Sequence, residues 1–169
     1  MVSLCKGWPL FETIWWRRFC FKGDRSVAQC RMSLKRTRFE TEMLPRPDDI
    51  DLFRHVHSSK YLDYLLAARF DQMERCYGLS MQAFLDRGLG WVVKVSHFEY
   101  KRPIGLAERF RVSTWVEEIR GSDVEVRFEI IKSEGGKTAC LGWCYFTLID
   151  LASARPAAIP ADVIEKYSI

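Results

Sequence analysis

Between residues 48 and 59 this chain concentrates side chains that can move protons or hold charge: Asp48, Asp49, Asp51, Arg54, His55, His57, Ser58 and Ser59. From Lys60 onward the sequence turns apolar at helical spacing, with Tyr61, Leu62, Leu65, Leu66, Ala68, Phe70 and Met73. A helix that starts there presents unpaired backbone N–H groups and the positive end of its dipole, a ready seat for a developing oxyanion. A carboxylate a few residues upstream, aimed at the same place, acts as nucleophile or general base beside a polarised carbonyl. That pairing is the minimum an acyl-transfer site requires. Residue types alone leave the plainer reading open, because aspartates in a Pro- and Asp-rich loop also serve as turn and capping residues.

The elements that must hold this loop follow from patterning. Residues 36–43 alternate polar and apolar as a strand, and Pro45 and Pro47 then end it by removing backbone donors. The helix beginning at Lys60 is expected to run to Tyr77, to bury most of its circumference, and to stop at Gly78. Ser80 is placed to cap a short second helix over 80–86. Strand-like runs follow at 91–100, 110–119, 124–132 and 138–150, joined by short turns that include Gly121-Ser122 and Gly135-Gly136. Short turns imply antiparallel neighbours. Pro160 opens a last helical stretch. One sheet of five strands needs a partner layer, and the single apolar helix supplies it. The expected fold class is therefore α+β, a sheet wrapped around one central helix.

Composition sets the bounds. The chain has 169 residues, 48% of them apolar and 28% charged, enough for one core and too short for two full domains. The net charge of +4 is confined to the first 31 residues, where six Lys/Arg face two acids; the rest holds twenty of each. A neutral remainder with no reader motif argues against nucleic-acid binding. Residues 1–31 also carry Trp8, Trp15 and Trp16 without sustained periodicity, and are expected to be an N-terminal extension, poorly ordered or not translated, ahead of a domain at 32–169. A peripheral membrane anchor built on its Trp and Arg residues is the lesser reading. The six cysteines form no C-x-x-C pair and no zinc spacing, so no metal is expected and a reducing cytoplasm is the simplest compartment.

Asp49-Ile50-Asp51 followed by His55-Val56-His57-Ser58-Ser59-Lys60-Tyr61-Leu62 resembles the D-x-D-x-x-x-H-V-N-N-x-x-Y-L signature of the hotdog-fold acyl-CoA thioesterases, the 4-hydroxybenzoyl-CoA thioesterase-like group. Ala68-Arg69, Tyr100-Lys101-Arg102-Pro103 and Ile159-Pro160-Ala161-Asp162 extend the resemblance over roughly 34–166. It implies a curved antiparallel sheet around one helix, homodimers or homotetramers with sites at the dimer interface, and hydrolysis of an acyl-CoA or acyl-carrier-protein thioester. It implies no cofactor, since coenzyme A enters as part of the substrate. By position, Asp51 becomes the catalytic base or nucleophile, Ser58 the donor of the polarising backbone N–H, and Tyr61 a wall of the site.

His55 either orients the carboxylate or hydrogen-bonds the loop. His57 is a substrate contact or a solvated loop residue. Lys101 and Arg102 meet coenzyme A phosphates or simply end a strand. Arg69 is expected to pair with a carboxylate at the dimer interface. Two departures stand out: Arg54 occupies a position often held by Gly, and His57-Ser58 replaces Asn-Asn. The alternatives carried beside hydrolysis are a non-catalytic acyl-thioester-binding module and a hotdog-type hydroxyacyl dehydratase.

Overall fold

Alternate apolar residues in three consecutive runs dictate the core. A computed structural model describes residues 36–169, so the expectations for residues 1–31 lie outside the described residues. In it the runs form β3 (Phe110–Arg120), β4 (Asp123–Lys132) and β5 (Thr138–Asp150). Phe110, Val112 and Val116 on β3, Val124, Val126, Phe128 and Ile130 on β4, and Cys140, Cys144 and Leu148 on β5 are all buried on one face. β1 (Phe39–Met43) flanks β3, and β2 (Leu89–Tyr100) flanks β5, giving the antiparallel order β1-β3-β4-β5-β2. Register shifts interrupt three of the ladders, at Val93/Val95, Val116/Glu118 and Ile130/Ile131. Such irregularities bend and twist strands, and the sheet is a curved half-barrel. A two-residue strand missed in the sequence, β6 (Arg155–Pro156), pairs with β5 at Ile149 and Asp150, beyond the last pair that β4 makes.

One glycine is required by this geometry. Gly142 faces Phe98 on β2 and Phe128 on β4, whose rings meet with centroids 4.7 Å apart. A β-carbon at Gly142 would lie 1.9 Å from the His97 carbonyl oxygen.

Helix α1 (Lys60–Arg75) packs on the inner face through Tyr61, Tyr64, Leu65, Ala68, Arg69, Gln72 and Met73. It does not bury most of its circumference. One sheet layer covers one side, and the stripe of Asp63, Ala67, Phe70 and Glu74 stands exposed, with Phe70 47% accessible. The helix ends at Arg75, short of Tyr77, and Leu79 N–H returns to the Met73 carbonyl past Gly78 at φ +62°. Ser80 caps α2 (Met81–Leu85) by accepting from Ala83 N–H at 3.2 Å. α3 (Ala161–Tyr167) closes the chain.

Candidate active site

The chain between β1 and α1 is a hairpin pinned on both sides. Pro47–Asp49 form a single 3-10 turn. Ile50 then bridges Val56, Asp51 N–H donates to the His55 carbonyl at 2.8 Å, and Arg54 N–H returns to the Asp51 carbonyl at 3.0 Å. Val56 N–H donates to Ile104 O at 2.8 Å and His55 bridges Gly105, so the hairpin is sewn to the segment after β2.

Asp51 organises the tip. Its Oδ1 accepts from the N–H groups of Phe53 (2.8 Å) and His55 (3.2 Å), an Asx-type turn. Its Oδ2 has no hydrogen-bond partner among the described residues and stays available. The half-buried carboxylate is thus fixed by one oxygen and presents the other. The same turn puts Arg54 at φ +63°, a region that favours glycine. The departure at Arg54 therefore carries backbone strain at the site.

The start of α1 supplies a donor. The His57 carbonyl accepts from Lys60 N–H at 2.9 Å. In a trans peptide the N–H opposes the C=O, so this bond aims the Ser58 N–H back out of the helix start. Among the described residues that N–H has no acceptor. The next peptide is held by Tyr100, whose hydroxyl donates to Ser58 O at 3.0 Å. In the sequence Tyr100 stands only as part of a strand end. Its role depends on a contact 42 residues away, which no local pattern reveals.

His57 sits where the family pattern has Asn. Its Nδ1 accepts from Ser59 N–H at 3.3 Å and sits 2.8 Å from Ser59 Oγ, capping the helix entry with an imidazole. Tyr61 is 3% accessible and packs edge-on against Tyr100, and burial pushes its hydroxyl up to about 12. Its hydroxyl therefore keeps its proton at neutral pH. The His55 ring makes no hydrogen bond and no ion pair among the described residues. Lys101 pairs with Glu99 at 2.5 Å, and Arg102 donates to Thr138 O at 2.8 Å. Both are exposed at the end of β2, engaged by protein groups and still open to solvent.

Asp49, one of several acids in the loop by sequence, is its buried anchor. It is 3% accessible and accepts from Tyr64 Oη at 2.5 Å and Arg46 Nε at 2.9 Å, with Lys60 Nζ at 3.6 Å. The Tyr64 hydroxyl first, and Arg46 and Lys60 after it, hold its carboxyl below the ordinary carboxylate range despite burial. No group of three or more His, Cys, Asp or Glu residues among the described residues is arranged to hold a metal ion.

A curved antiparallel sheet cupping one long helix, with an acidic hairpin at the helix start, defines a hotdog-fold protein. The chain belongs to the thioesterase-like superfamily, whose family model matches residues 45–167. It is 24% identical over 127 residues to the long-chain acyl-CoA thioesterase FadM of Escherichia coli, covering 75% of this chain and 95% of that one. The fold matches the DHNA-CoA thioesterase of Staphylococcus aureus with a TM-score of 0.73 at 25% identity, over 78% of this chain and 89% of that chain. A hypothetical protein of Thermus thermophilus matches with a TM-score of 0.70 at 27% identity, over 76% and 96%.

Proposed function

We propose that this chain hydrolyses an acyl-CoA or acyl-carrier-protein thioester to the free acid and thiol, with Asp51 as the reacting carboxylate. What supports this reading is that the hairpin holding Asp51, with Oδ2 free, leads within seven residues into a helix start whose Ser58 N–H has no acceptor among the described residues. The N–H stabilises charge on the thioester oxygen as the carbonyl carbon becomes tetrahedral. Asp51 either takes a proton from the attacking water or attacks the carbon itself, giving an acyl-aspartyl anhydride that water then opens. In both routes the carbon–sulfur bond breaks and the thiolate leaves with a proton from water. Tyr61 walls the site, and His57 holds the helix entry while its ring stays at the surface as a substrate contact. Lys101 and Arg102 offer cations to coenzyme A phosphates.

A homo-oligomer completes the reading. β2 is a twelve-residue edge strand whose Val92, Val93, Val95 and Tyr100 are 37–51% accessible. A long apolar edge of this kind is a template for pairing with another chain, and a second copy of β2 fits it. Val95→Lys is expected to shift the protein to monomer in sedimentation; an unchanged oligomer would remove β2 from the interface. The thiols of Cys76, Cys140 and Cys144 are unpaired, which suits a reducing cytoplasm, and no described helix is long and apolar enough to cross a membrane.

Thiol release from short-chain, long-chain and aromatic acyl-CoAs tests the proposal. Removing a positioned base costs roughly 10²–10⁴ in rate, so Asp51→Asn is expected to lose at least a hundredfold while keeping the fold. Near-parental turnover in Asp51→Asn would remove Asp51 from the chemistry. Tight binding of acyl-CoA by the parent with no release would instead make the protein an acyl-thioester-binding module.

A further inference from the structure

A second feature lies along α1, between its residues 66 and 73 and the inner face of β2, β4 and β5. At 1.5 Å per residue this is about 9–20 Å down the helix from Lys60. A cavity of about 120 Å³ sits there, walled by Leu66, Phe70, Val124, Val126 and Phe146. That is somewhat less than the 150 Å³ or so in which an apolar cavity takes up benzene. The volume suits a carboxylate with a few methylenes.

Arg69 breaks the apolar lining. It is 4% accessible, and its one hydrogen bond runs from Nη1 to Thr114 Oγ1 at 3.1 Å. Thr114 adds no charge: its hydroxyl is donated onward to Gln72 Oε1 at 2.5 Å. The Tyr77 ring lies 5.4 Å from the guanidinium carbon. No carboxylate of the described residues pairs with Arg69.

The contrast with the other buried ions is sharp. Asp49 has Arg46 and Lys60, and Glu125 has Arg127 together with the Tyr145 hydroxyl. A guanidinium cannot shed its proton, and a buried charge is ordinarily matched by an opposite one. Beside it, Tyr167 lines the same cavity and stacks on Trp91, whose indole Nε1–H is buried with no acceptor. The site is therefore rich in donors, poor in acceptors and lined mostly by hydrocarbon.

We propose that this cavity binds the carboxylate end of an aliphatic chain, with Arg69 reading the charge. Two sources share that chemistry: the distal carboxylate of a dicarboxylic acyl thioester, or the free fatty acid released by hydrolysis. The first source rests on the thioesterase reading; carboxylate binding itself does not.

Calorimetric titration of the full-length protein with octanoate and with 1-octanol tests the site. Octanoate is expected to bind at least tenfold tighter than the alcohol. Arg69→Met should erase that preference, and Arg69→Lys should restore part of it. Because Arg69 belongs to a buried network, Val126→Met serves as the second variant: it fills the cavity, leaves the guanidinium in place, and should abolish binding of both ligands. Equal affinity for acid and alcohol, retention of the preference in Arg69→Met, or unchanged binding in Val126→Met would overturn the proposal, as would no octanoate binding by the parent. The sources separate in kinetics. A KM for octanedioyl-CoA tenfold below that for octanoyl-CoA, lost in Arg69→Met, assigns the distal carboxylate. Equal KM values with competitive inhibition by octanoate assign the product acid. If no acyl-CoA is cleaved, the thioesterase reading fails while the titration still decides the cavity.

Discussion

Tyr64→Phe removes one oxygen atom from the base of the Asp49–Asp51 hairpin, and its effect follows from what that oxygen touches. The hydroxyl donates to Asp49 Oδ2 at 2.5 Å and accepts from Arg46 N–H at 3.2 Å. The ring remains packed edge-on against Phe110 with centroids 5.0 Å apart, so no large cavity opens. A hydrogen bond to an ionised buried group contributes about 1.5–3 kcal/mol. The Arg46 N–H lies nearer solvent and finds water, so the expected cost at pH 7 is about 2–3 kcal/mol.

The pH dependence sharpens the test. The Tyr64 hydroxyl is the largest influence lowering the Asp49 pKa. A depressed carboxylate contributes stability that is fully present above its unfolded pKa of about 3.9 and is lost as pH falls through the folded value. In the variant that pKa rises toward the unfolded one. The stability gap between parent and Tyr64→Phe is therefore widest above about pH 5 and narrows below pH 4 toward the ~1 kcal/mol of a neutral bond. Urea denaturation at half-unit steps from pH 2.5 to 7 measures it. Asp71, Glu99, Asp150 and Asp162 are also depressed, but they are common to both proteins and cancel in the difference. A gap under 0.5 kcal/mol at pH 7, or one that does not change with pH, would show that Asp49 is anchored by Arg46 and Lys60 without the tyrosine.

Two further substitutions probe backbone requirements. Gly142→Ala must separate β2 from β5, because its β-carbon falls 1.9 Å from His97 O; a loss upwards of ~3 kcal/mol is expected in chemical denaturation, and a change below 1 would mean the ladder relaxes there. Arg54→Gly relieves a φ of +63° at an exposed side chain with no hydrogen bond or ion pair among the described residues. The relief of about 1–2 kcal/mol is partly offset by roughly 0.5–1 of added chain entropy, so a net gain of about 0.5–1 kcal/mol is expected from the same denaturation curves, and a net loss would show that the Arg54 side chain makes a stabilising contact.

The fold was largely legible from the residues. The period-two runs that became β3, β4 and β5 bury their apolar face as the alternation requires, and short turns made them antiparallel. What escaped were features set by distance rather than by pattern. β6 exists because β4 ends before β5 does. The exposed stripe on α1 reflects a sheet that has only one side to offer. Asp49 looked like one of several loop acids; a tyrosine fifteen residues later makes it the buried one. Strain at Arg54 was legible, since any residue other than glycine is costly in a left-handed turn. The free Ser58 N–H was not, because it depends on which carbonyl the preceding peptide offers to Lys60. The role proposed for it comes from the resemblance to a family; the geometry adds only that the N–H has no acceptor among the described residues.

The entry to α1 shows how the hairpin and helix depend on each other. A helix start normally gains about 1 kcal/mol from a side chain that caps its free amides. Here Ser59 at the cap position makes no such bond, and His57 satisfies Ser59 N–H only, leaving Ser58 N–H open. Capping that amide would stabilise the fold and block the donor that the proposed chemistry uses. The loop is instead held from outside the donor's path: Asp49 by Tyr64 and Arg46 beneath it, Ser58 O by Tyr100 beside it, and Val56 by Ile104 behind it. Each of these bonds fixes the position of the hairpin without occupying either the Ser58 N–H or Asp51 Oδ2. This division of labour leaves the buried carboxylate of the pair Asp49 and Asp51 fully engaged in holding the hairpin, and the half-exposed one with an oxygen to spare for the chemistry proposed for it.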